Sequence, residues 1–211
     1  MNPEKLIGCL IECGKKSVSK DFNLKSIERK NNELIYTING TSSAVNRFDI
    51  PQESVKVLKW FDVFWLFLKI KFITEKREIK GKIVTNKIIR ISLSVFQGQD
   101  DENEKFQLFR AEWDDNNNPD EKHAQPHWHI TSSQAIENSF YKYSDTFEQQ
   151  EFIDLLESEK QKVFDVKKIH FAMNGQWQNG NNHIHKIENE QQIVNWLQGM
   201  LFHIRTELGI S

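Results

Sequence analysis

Residues 64–96 read FWLFLKIKFITEKREIKGKIVTNKIIRISLSVF. Over Phe64–Thr74 the end of the run places Leu68, Ile70 and Phe72 on one side and Lys69 and Lys71 on the other. That two-residue period is the mark of a strand with one buried face. The start of the run, VFWLFL, is apolar on both sides and suits a central strand covered on both faces. Lys87–Phe96 repeats the alternation, with Ile89, Ile91, Leu93 and Val95 against Arg90, Ser92 and Ser94. Ile79–Val84 reads as a further short strand, with Gly81 and Asn86 as turn residues. Working outward, the acidic loop QGQDDENEK leads into a next strand, FQLFRAEW at Phe106–Trp113. The expectation is an antiparallel β-meander of at least four strands.

The flanks supply helices. Pro3–Ser19 carries Leu6, Ile7, Leu10, Ile11 and Val18 roughly on one face, with Pro3 in the first turn. Near the other end, Ile193, Leu197, Met200, Leu201, Ile204 and Leu208 recur at three- and four-residue spacing, with Asn189 placed as N-cap. Between them, Glu33–Asn39 reads as a short strand whose partner is Arg47–Ile50, Asp145–Glu157 as a helix and Val163–Met173 as a strand. The predicted fold class is α+β: the meander, covered by an N-terminal helix and a long C-terminal helix. With no linker-like segment, residues 1–211 read as a single domain.

Composition narrows the function classes. Lys+Arg is 28 against Asp+Glu 30, a net charge of −2. Total charge therefore excludes a strongly basic nucleic-acid binder and an acidic tail protein, while leaving room for a local basic patch. The Lys-rich stretches at 15–20 and 76–82 read as solvated faces. The start has no basic region followed by a long apolar one, and Val57–Ile73 is interrupted by Lys59, Asp62, Lys69 and Lys71. No signal peptide and no membrane span are expected. Cys9 and Cys13, the only cysteines, share one helix face and read as small apolar residues in a reducing, cytoplasmic setting.

The chemistry concentrates in histidine. His123, His127 and His129 fall within HAQPHWH, and His183 and His185 within NNHIH. On a strand, His127 and His129 point to one face and Trp128 to the other. Two imidazoles converging in that way, with Glu112, Asp114, Asp115 and Asp120 nearby, suit a divalent metal such as zinc or manganese. The candidate metal ligands are His123, His127, His129, His183 and His185. The candidate catalytic residues are His127, His129, Arg110 and Asp114, with the Arg110 guanidinium as a fork for a phosphate or carboxylate or as a cross-strand ion pair with Glu112. His129-Ile-Thr131 also has the H-x-T form of two-histidine phosphoesterases, but the only available partner, His183-Ile-His185, lacks the hydroxyl. No cupin spacing is present, because no Glu follows His129 closely.

Phe109-Arg110-Ala111-Glu112-Trp113-Asp114, followed by His123-Ala124-Gln125-Pro126-His127-Trp128-His129, resembles the core of an uncharacterised bacterial family. More loosely, it is similar to TumE-like toxins of toxin–antitoxin pairs. The resemblance covers residues 106–131 and extends to the His170–Trp177 segment. It implies a bacterial protein of the defence kind. Two functions are therefore expected. One is a cytosolic binding or accessory protein in a defence or toxin–antitoxin system, with a protein partner in a multi-component assembly or a nucleic acid. The alternative is a His/carboxylate, metal-dependent phosphodiester hydrolase or nuclease-like toxin.

Overall fold

The structure, a computed structural model, describes residues 1–30, 32–49, 51–79, 81–102, 105–114, 125–130 and 186–208. Helix α1 (Pro3–Ser17) opens the chain, capped by the Asn2 side chain, which accepts from the Glu4 and Lys5 amides. Then come β1 (Leu24–Arg29), β2 (Glu33–Ile38), β3 (Ser42–Asn46), β4 (Glu53–Phe61), β5 (Phe64–Ile79), β6 (Lys82–Gln97), β7 (Phe106–Asp114) and β8 (His127–Ile130). Helix α2 (Glu190–Glu207) is the last described element. Every pairing between the described strands is antiparallel, and the main order is β1-β2-β5-β6-β7-β8, with one isolated parallel bridge from Ala44 to Lys105. The architecture is α+β, as the hydrophobic periodicity predicts.

Two elements differ from expectation. The stretch read as three strands is two, β5 and β6, paired without interruption from Phe64↔Gln97 to Ile79↔Lys82. Asn86 is a paired strand residue opposite Glu75, and the turn comes at Gly81, with φ +76°. Residues 47–49 are not part of a strand returning on β2, and Ile50, the last residue of the expected Arg47–Ile50 strand, lies outside the described residues. Instead β3 pairs with the first half of β4, from Ser42↔Val57 to Asn46↔Glu53, and residues 47–49 form the turn between them. Cys9 is exposed, so only Cys13 lies in the core, where burial raises its thiol pKa. The helix expected at Asp145–Glu157 and the strand at Val163–Met173 lie outside the described residues.

The pleat sorts the central strands into two faces. Leu66, Leu68 and Ile70 of β5 stand opposite Val95, Leu93 and Ile91 of β6, which stand opposite Phe109, Ala111 and Trp113 of β7. All nine are buried. Helix α2 packs over this face, where its Trp196 lies 6.1 Å from Trp113, and α1 packs against α2. The α2 stripe of Ile193, Trp196, Leu197, Leu201 and Ile204 is buried with it. The N-terminal ends of α1 and α2 lie together, where the Asn2 amide donates to Glu190. Asn189 caps α2 with a full capping box to Gln192.

The opposite face is polar in its middle. Lys69 and Lys71 pair with Ser92 and Arg90, which pair with Glu112 and Asp114. At one end the β3–β4 hairpin folds back over it, held by Gln107, which donates to Asn46 and to Ser94 and accepts from the Arg47 amide. The sheet thus presents a polar face, walled at one end by the turn at residues 47–49.

Candidate metal centre

The site follows from register. Across the β7–β8 ladder, Arg110 stands opposite His129 and Glu112 opposite His127. The intervening pair, Ala111 and Trp128, points to the apolar face, where Trp128 meets Phe109 with ring centroids 5.5 Å apart. Alternation therefore gathers Arg110, Glu112, His127 and His129 into one block on the polar face.

Three donor atoms converge within that block. His129 Nε2 lies 2.8 Å from Glu112 Oε2 and 2.8 Å from His127 Nε2. His127 Nε2 lies 3.6 Å from the same carboxylate oxygen. An ion bonded to three such donors at about 2.0–2.2 Å and tetrahedral angles spaces them about 3.3–3.6 Å apart. One edge of the triangle already has that length, and the other two need to open by about half an ångström. All three residues are half-buried, so small side-chain shifts accomplish this. Among the described residues the triad supplies two imidazoles and one carboxylate, a donor set that suits zinc or manganese.

A second layer fixes the carboxylate. Arg110 donates from Nη2 to Glu112 at 3.2 Å and from Nη1 to Asp49 at 2.6 Å. Its guanidinium sits over the Phe48 ring, 5.5 Å from the centroid, and the Phe48 ring lies 5.5 Å from that of His129. Asp49 also accepts from the Asn46 side chain at 2.7 Å. The chain Asn46–Asp49–Arg110–Glu112–His129 thus ties the site to the β3–β4 turn. Arg110 is 7% exposed and has both Nη groups engaged, so it orients Glu112 rather than offering a free fork to a ligand.

A cleft of about 230 Å³ adjoins the triad, lined by Lys69, Lys71 and Arg90 together with Asp49, Glu112, Asp114 and His127. Asp114 pairs with Arg90 at 2.7 Å, and its amide donates to Gln125. It lines the cleft rather than joining the donor triangle. Lys69 pairs with Glu53 and Asp49, and Lys71 with Glu33.

Of the residues singled out in the sequence, the structure brings His127, His129 and Arg110 together and sets Asp114 in the cleft lining. His123, His183 and His185 lie outside the described residues. Glu112 stood in the sequence as an ion-pair partner for Arg110, which the structure shows, and as one of several acids near the histidines, among which the ladder register selects it. Asp49 and Phe48 carried no sequence signal, because they reach the site from a turn 61 residues away along the chain. No helix among the described residues is long and apolar enough to cross a membrane. Comparison with protein-family models, curated proteins and solved structures finds no match for this chain.

Proposed function

We propose that the protein is a metal-dependent hydrolase of phosphodiesters, with Glu112, His127 and His129 holding one divalent ion, zinc or manganese. The observation that carries the reading is the convergence of two imidazole nitrogens and one carboxylate oxygen beside a cleft that Lys69, Lys71 and Arg90 help to line. A three-ligand centre keeps a position for water and lowers its pKa toward about 7. A hydroxide so supplied would attack phosphorus as the bond to the leaving alkoxide or phenoxide breaks, with the water's proton passing to solvent and the leaving oxygen taking one up from it. Lys69, Lys71 and Arg90 supply positive charge where the phosphate oxygens lie, and each can exchange its carboxylate partner for the substrate. Arg110 keeps Glu112 aimed, in the manner of residues that support a ligand from behind.

The test is turnover of bis(p-nitrophenyl) phosphate by protein loaded with zinc or manganese. The expected result is hydrolysis that EDTA abolishes and that falls about 100-fold or more in Glu112→Gln. Equal turnover by wild type and Glu112→Gln, or none with either metal, contradicts the reading.

A further inference from the structure

We infer that the projecting end of the β5–β6 hairpin, residues 74–87, is an arm that binds duplex DNA. The inference does not depend on the metal centre. β5 pairs with β2 only from Lys69 to Ile73, and β6 pairs with β7 only from Arg90 to Gln97. The Thr74 amide still reaches the Asn32 carbonyl, at 2.8 Å. Beyond that point no described strand flanks the hairpin, yet the β5–β6 register continues unbroken from Thr74↔Lys87 to Ile79↔Lys82. Six paired residues on each strand make a ribbon about 20 Å long.

This ribbon is the opposite of the rest of the molecule in charge. Lys76, Arg77, Lys80, Lys82 and Lys87 against Glu75 and Glu78 give it a net +3, in a chain whose total is −2. Lys76, Lys82 and Lys87 are exposed. At its tip, Ile83 is 74% exposed and Val84 44% exposed. A stretch that reads as a solvated face is therefore a basic ribbon with an apolar tip. Charge selects a polyanion, since a basic projection on an acidic body steers phosphate backbones toward itself. Shape selects the duplex. The major groove of B-form DNA admits a two-stranded ribbon, and apolar side chains there meet thymine methyl groups. The deep, narrow major groove of an RNA duplex does not admit one.

The test measures anisotropy of a short fluorescein-labelled DNA duplex in EDTA, with wild type, the triple variant Lys76→Glu/Lys82→Glu/Lys87→Glu, and Glu112→Gln. The triple variant should bind about tenfold or more weakly. Its plot of log K against log salt should flatten by about 0.9 for each phosphate that the variant leaves unneutralised. Glu112→Gln should bind as wild type does, which separates failure of the hydrolase reading from failure of this one. A matching melting curve for the triple variant shows that it folds, and Ile83→Asp, which alters the tip alone, should also weaken binding. Wild type that fails to bind, or a triple variant that binds equally well, overturns the inference. So does a triple variant that keeps wild-type affinity while self-associating, because the lysines would then serve to block edge pairing. Equal affinity for duplex RNA overturns the groove assignment.

Discussion

Arg110 and His129 stand opposite each other on β7 and β8, and both reach the same oxygen of Glu112, at 3.2 and 2.8 Å. One carboxylate thus answers to a cation buried behind it and to an imidazole half-exposed in front. The buried side holds the group in place, while the exposed side is available for chemistry. Asp49 completes the support from a turn far away in sequence, and the first two predictions concern that support and the core beneath it.

Asp49→Ala leaves the Arg110 guanidinium buried with Glu112 as its remaining described carboxylate partner. Losing one partner of a buried charged hydrogen bond costs about 1–3 kcal/mol. Urea unfolding should therefore show that loss, and a metal site built on Glu112 should weaken with it. An unchanged midpoint together with unchanged metal affinity would mean that the turn is decoration.

Trp196→Ala and Leu197→Ala remove buried side chains of α2 that pack on the sheet, and should cost about 2–5 kcal/mol each. Trp196→Phe should cost clearly less. The Trp196 Nε1 group is buried without a hydrogen-bond partner among the described residues, so the indole contributes packing alone. Thermal melts of the three variants check the order.

Gly40→Ala should be destabilising by about 1–3 kcal/mol. A methyl there would clash with the backbone of Lys56 and Val57, and backbone in a paired strand cannot step aside as a side-chain tip can. Gly8→Ala, whose methyl meets nothing within 4 Å in the middle of α1, should be neutral or stabilising. Comparing the two in one denaturation series tests the packing directly.

Lys105 is buried, with its ammonium 4.1 Å from the Trp65 ring centroid and bonded to Ser42 and the Glu102 carbonyl. Burial lowers its pKa from the usual lysine value of 10.5. The folded state thus releases this proton before the unfolded chain does, and stability gains as pH rises through the folded pKa toward 10.5. Relative to Lys105→Met, wild type should gain between neutral and alkaline pH. A gap in urea midpoints that stays constant with pH contradicts this.

The strand alternation in Leu68–Phe72 and Ile89–Leu93 was legible because there the sheet buries one face more deeply than the other. The join between them was not. Among the described residues no strand flanks 74–79 and 82–87 beyond their own pairing, and the polar run imitates a pair of turns. The orientation of His127 and His129 was legible for the same reason as the strands. Glu112 was not singled out as a metal ligand, because the choice among Glu112, Asp114 and Asp115 depends on the β7–β8 register, which the intervening residues conceal. The Arg47–Ile50 strand failed over its described residues 47–49 because a polar turn holding Phe48 and Asp49 against Arg110 resembles a short strand edge in composition.

The central claim is that Glu112, His127 and His129 form one metal centre, and calorimetric titration of the purified chain with zinc or manganese tests it most directly. The account predicts one tight site per chain, weakened about 10- to 100-fold or more in each of Glu112→Ala, His127→Ala and His129→Ala, all three still folded. Absence of binding, or a site that survives all three substitutions, would contradict it.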